Sequence, residues 1–221
     1  MKKAFTMMEL IFIIIVIGIL AAVVIPRTGS NKLHEAAIQV VSHIRYTQHL
    51  AMVDDKFNTA DNEWYKDRWQ IMFANTAGSG NSWSYMIFSD SLGASTGTPD
   101  VNEHAVNPLD SSKFLTGGYS AGNIAFDDAR ATAELNIGKE YRITNVTFSA
   151  NCEINSKRIS FDHLGRPLYD GPHLLDEAYR DGANSRLIQF TSGNPCTITL
   201  TDGSDNVVIA IEPETGYAHI L

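Results

Sequence analysis

Residues 10–25, LIFIIIVIGILAAVVI, form an unbroken apolar run in which Gly18 is the one flexible position. Nothing else in the chain restricts its folding so strongly. Counted from Phe5, the segment is roughly 20 residues, which as a helix at about 1.5 Å per residue reaches about 30 Å, a hydrocarbon thickness. The pattern therefore predicts a transmembrane helix over residues 5–26. Lys2 and Lys3 precede it, and the positive-inside bias then leaves the N-terminus in the cytoplasm and everything beyond Pro26 on the far side.

Three plainer readings compete. A cleaved secretory signal would carry its small-residue cut site after the apolar run, and Ala21-Ala22-Val23-Val24 offers no clear A-x-A before Pro26. A simple anchor has no use for Glu9, because a carboxylate within a span costs on the order of 2.5 to 3.5 kcal/mol at mid-membrane. A buried core helix would need apolar partners around its whole circumference, more than a head of this size can supply beside its own core.

Ala4-Phe5-Thr6-Met7-Met8-Glu9-Leu10, followed by the run ending Ala21-Ala22-Val23-Val24-Ile25-Pro26, resembles the processing and anchor segment of type IV pilins and type II secretion pseudopilins. The resemblance implies that residues 1–4 are a leader, that a prepilin peptidase cuts between Ala4 and Phe5, and that Phe5 is then N-methylated. Here Ala4 stands where the family usually has Gly, and Met7-Met8 replaces its usual aliphatic pair. Charge balance assigns Glu9 a role independently of the family. A neighbouring subunit's Glu9 would neutralise the ammonium on Phe5 when helices stack, replacing two isolated charges with a pair.

Pro26 ends the apolar run and is expected to kink the helix. Beyond it Leu33, Ala37, Val40, Val41, Ile44, Ala51 and Met52 recur at near-helical spacing, with Glu35, Gln39, Arg45 and Gln48 between them. This predicts an amphipathic continuation over residues 27–55 whose apolar stripe packs on a globular head, residues 56–221. In the head, residues 69–73 and 83–88 are expected to be strands of a hairpin. Residues 90–113 are rich in turn formers and are expected to be a long surface loop. From residue 141 onward the texture is β, with strands expected at 143–149, 157–161, 187–191, 197–201, 207–211 and 217–220. Ile159-Ser160-Phe161 before Gly165-Arg166-Pro167, and Ile209-Ala210-Ile211-Glu212-Pro213 before Thr215-Gly216-Tyr217, are similar to the C-terminal pattern of GspH/FimT-type minor pseudopilins. The fold expected is α+β and pilin-like: a long N-terminal helix, transmembrane in its first half, packed on a mostly antiparallel β head.

A net charge of −8, with scattered Lys and Arg, makes nucleic acid an unexpected partner. Cys152 and Cys196 form no C-x-x-C pair. They are open to a disulfide if the head is exported, contributing about 4 kcal/mol in the chain-entropy model, or to a reading as two buried thiols. His34, His43 and His49 make no i, i+4 zinc pair, and no nucleophile elbow, P-loop or dinucleotide fingerprint occurs. Asp202, Asp205 and Asn206 lack the full calcium-loop pattern. The reading is a non-enzymatic subunit without cofactor or metal. By resemblance its partners are other pilin or pseudopilin subunits, prepilin peptidase, an inner-membrane assembly platform and the lipid bilayer. Its expected place is the inner membrane, single-pass, with the head in the periplasm, extractable into a fibre. The alternative is a tethered or fibre-tip binding protein using the 90–113 loop.

Overall fold

The computed structural model describes residues 6–24, 28–92, 95–119, 124–153, 155–179, 187–188 and 195–221. Helix α1 spans Met7–Val24 and α2 spans Thr28–Val53. Between them lies Pro26, outside the described residues, as do Ala4 and Phe5. The strands are β1 (Gln70–Thr76), β2 (Ser82–Phe88), β3 (Val106–Asn107), β4 (Asp110–Phe114), β5 (Asn145–Phe148), β6 (Arg158–Phe161), β7 (Pro167–Tyr169), β8 (Cys196–Thr201), β9 (Asn206–Ile211) and β10 (Ala218–Ile220), with a one-turn helix α3 (Ile137–Glu140) before β5. They make two antiparallel sheets, ordered β2-β1-β6-β7 and β10-β9-β8-β5, and a separate β3-β4 hairpin.

The expected fold class is corrected here. Among the described residues, no helix is long and apolar enough to cross a membrane. The described helix α1 holds 18 residues, at the short end of what spans a hydrocarbon core, and Glu9 sits in its first turn, where a carboxylate in an apolar span is costly. The transmembrane first half is overturned, and with it the single-pass inner-membrane placement and periplasmic head. The described structure is mainly β.

The amphipathic helix forms as its periodicity predicts. Leu33, Ala36, Ala37, Val40, Val41, Ile44 and Ala51 are buried, while Met52 is 47 % exposed and does not belong to the stripe. The stripe packs into one core with Ile71, Phe73, Ile87, Ile159 and Phe161 of the first sheet and Val146, Ile198, Leu200, Ile209 and Ile211 of the second. Alternation along β8, with Ile198 and Leu200 buried between half-buried threonines, gives that sheet a single core face. The first sheet is covered on both faces. Met72, Met86 and Phe88 of its far side form a second buried cluster.

The cover is supplied partly by the segment expected to be a long surface loop. Residues 90–113 carry a 3-10 turn and the β3-β4 hairpin, and bridges Phe88↔His104 and Met86↔Thr116 seal the edge of β2. Buried acids hold the chain there. Asp90 accepts from the Gly97 N–H at 2.5 Å, and Glu103 accepts from the Leu92 and Asp100 N–H groups, each at 2.6 Å. Arg158 of β6 donates to the Gly97 carbonyl at 2.8 Å and to Gln70 Oε1 at 3.0 Å. Gly97 has φ +81° and lies against His173, so a side chain there meets both backbone strain and a ring.

Candidate assembly surface

Helix α1 is apolar on all sides. In Met7–Leu20 only Glu9 is charged, and every described side chain is exposed, the large apolar ones from 38 % at Val16 to 79 % at Met7 and Met8. In water such a helix exposes several large side chains whose burial is worth about 1.5 to 3 kcal/mol each. An apolar exposed surface of this extent marks an interaction site.

Glu9 is engaged within its own chain. Its Oε2 accepts from the Thr6 N–H at 2.9 Å and from Thr6 Oγ1 at 3.0 Å, while the Glu9 N–H donates to Thr6 Oγ1 at 3.3 Å. This reciprocal arrangement is a capping box, which satisfies donors that a helix start leaves orphaned. The backbone bond from Thr6, followed by its hydroxyl, holds the Glu9 carboxyl below its ordinary range. A partner meeting the first turn of α1 therefore meets a carboxylate. The sequence reading missed Thr6, although the T-x-x-E spacing was available as a signal.

Helix α2 is fixed to the head through a buried polar network as well as its stripe. Tyr85 of β2, fully buried, receives a bond from Gln39 Nε2 at 2.8 Å, and its Oη lies 2.6 Å from His43 Nδ1. Gln39 also donates to the Glu134 carbonyl at 2.9 Å and accepts from Tyr141 at 2.6 Å. Burial lowers the His43 pKa to about 4, so the ring is neutral at ordinary pH, and burial raises the Tyr85 hydroxyl. His34 and His49 are exposed and the three rings do not converge.

Cys152, in the turn after β5, and Cys196, at the start of β8, form a disulfide with Cα atoms 5.5 Å apart; both are fully buried. Asp202 Oδ1 accepts from the Ser204 and Asp205 N–H groups, each at 2.9 Å, which accounts for it as a turn residue. No group of metal-ligating side chains occurs among the described residues. The hairpin proposed as a binding loop presents Leu109, 95 % exposed, at its tip.

Among the described residues the head bears an open groove of about 370 Å³, lined by Ile38, Val41, Ser42 and Arg45 of α2 and by His219 and Ile220 of β10. Sequence periodicity passed over it because Ile38 lies off the buried stripe. Comparison with known proteins finds no matching family model, no matching curated protein and no matching solved structure.

Proposed function

We propose that the chain is a fibre subunit of the type IV pilin or type II secretion pseudopilin kind, trimmed between Ala4 and Phe5 by a prepilin peptidase, methylated on Phe5 and assembled with other copies through α1. The observation that carries this reading is α1 itself, apolar around its whole circumference and bare along every described side chain. A helix of that composition is stable in water only when its sides are covered, and like helices from neighbouring copies cover one another with Glu9 as the one charge to be matched. The single carboxylate, Glu9, stands in the first turn, where it can meet a cation on an adjoining copy. The resemblance of residues 4–26 to the processing segment adds the chemistry of maturation. A disulfide-closed β head held on α2 supplies the rigid body that such an assembly would display.

Two measurements test this. Intact-mass analysis of protein from its producing cell should show loss of residues 1–4 and gain of one methyl group. Electron microscopy and sedimentation of the full chain should show extended assemblies, with α1 charge variants such as Ile14→Glu remaining single subunits. An untrimmed, unmethylated N-terminus together with a monomeric full chain would overturn the proposal.

A further inference from the structure

The groove between α2 and β10 has the form of a helix cradle. Ile38, Val41, Ser42 and Arg45 follow the i, i+3, i+4, i+7 spacing of one helix face, and β10, the outermost strand of its sheet, makes the opposite wall. Ile38, at the N-terminal end of this face, is 53 % exposed. An added strand is disfavoured there, because Arg45 occupies the outer edge of β10, donating from Nε at 3.1 Å and Nη2 at 2.7 Å to the Ala218 carbonyl. Those bonds use two of the five guanidinium donors. No described carboxylate forms an ion pair with Arg45, and its other neighbour is the face of Tyr217, 5.1 Å from the ring centroid. Of the other polar lining residues, Ser42 and His219, His219 is already bonded to Glu212 at 2.8 Å.

The geometry points to a second copy's α1 as the occupant, its apolar ridges seated on Ile38, Val41 and Ile220 and its Glu9 directed to Arg45. Both halves of the contact are on this chain: an apolar helix whose only charge is one carboxylate, and a part-apolar groove whose rim holds a cation without an acidic partner among the described residues. The contact joins two different surfaces, so it is heterologous and propagates from copy to copy, giving a filament or a ring. The stripe 38–45 covers about 11 Å of helix at 1.5 Å per residue, so the groove engages part of α1 and leaves the remainder for the α1 helices of other copies. This inference rests on the assembly reading above and assigns the site that receives the helix.

The test uses the full chain with single cysteines introduced in separate copies, Ile13→Cys on α1 and Ser42→Cys in the groove, mixed and oxidised after assembly. Cross-linked 13–42 heterodimers are expected, and none when Ser42→Cys is replaced by Ser204→Cys in the β8-β9 turn. As a second measurement, Arg45→Glu should raise the concentration at which assembly begins by about fivefold to tenfold, and Glu9→Arg in the same chain should restore it. Assemblies that give 13–13 but no 13–42 cross-links, with Arg45→Glu unaltered, overturn the groove assignment and leave the proposed function standing. A full chain that remains monomeric overturns both.

Discussion

The two long helices follow one another in the chain and obey opposite rules. Helix α2 separates its residues by face: Leu33, Ala37, Val40 and Ile44 disappear into the core while His34, Glu35 and His49 stay in water. Helix α1 has no polar face to keep in water and no core to enter, and its described side chains are all exposed. The difference shows that an apolar residue is a stability element only where the fold provides a partner. Ile44 is fully buried; Ile14, equally apolar, is 61 % exposed. The first works within the molecule and the second is available to another one.

The comparison is sharpened first through the disulfide, which braces the second sheet against which α2 lies. Replacing both Cys152 and Cys196 by Ser should cost the head about 4 kcal/mol, measured by urea unfolding, and should not alter the helicity of α1. Next, Ile44→Ala should destabilise the head by about 3 kcal/mol, whereas Ile14→Ala should leave its unfolding midpoint unchanged and act only on assembly. Equal effects of these two substitutions would break the contrast between the helices.

Acid should separate the helices too, by way of His43. Its folded pKa, about 4, lies below the ordinary 6.5, so the fold holds the ring neutral while the unfolded chain takes up a proton below pH 6.5. Stability is fully present above 6.5 and is lost as pH falls towards 4, by on the order of 3 kcal/mol in total. Denaturant titrations of wild type and His43→Gln at pH 7, 5 and 4 should converge on a flatter profile for the variant. The smallest effect is expected at the start of α1. Thr6→Ala removes the cap and should weaken the first turn by about 1 kcal/mol, read as faster amide exchange at residues 7–10 with no change in the head.

Much of the β head was legible in local pattern. The β1-β2 hairpin, β6, β8 and β9 fall within one to three residues of the apolar, β-branched and aromatic stretches that marked them, and β8 also alternates its faces as a half-buried strand must. The three-residue β7, Pro167–Tyr169, was missed, since so short a segment has no period to detect. The strand expected at 187–191 is represented by a single bridge, Leu168↔Leu187, and residues 189–191 lie outside the described residues. Residues 90–113 misled because turn formers report local flexibility, and the acids that fix this segment act on backbone groups elsewhere within it. The membrane span misled for a different reason: composition measures how apolar a run is, while crossing also demands a helix both long and apolar enough, and no described helix meets both demands.

Sequence alone determined what depends on neighbours along the chain: the uniform apolarity of α1, the one-sided stripe of α2, the alternation of β8 and the T-x-x-E spacing of Thr6 and Glu9. Only the tertiary structure decided that Cys152 joins Cys196 across 44 residues, that His43 meets Tyr85 across 42, and that Arg45 reaches the Ala218 carbonyl across 173 to close one wall of a groove. Helix and strand preferences act over a few residues through backbone sterics and side-chain period. Contacts between distant residues depend on which loops close and which faces meet when the core is buried, and no local pattern encodes that choice.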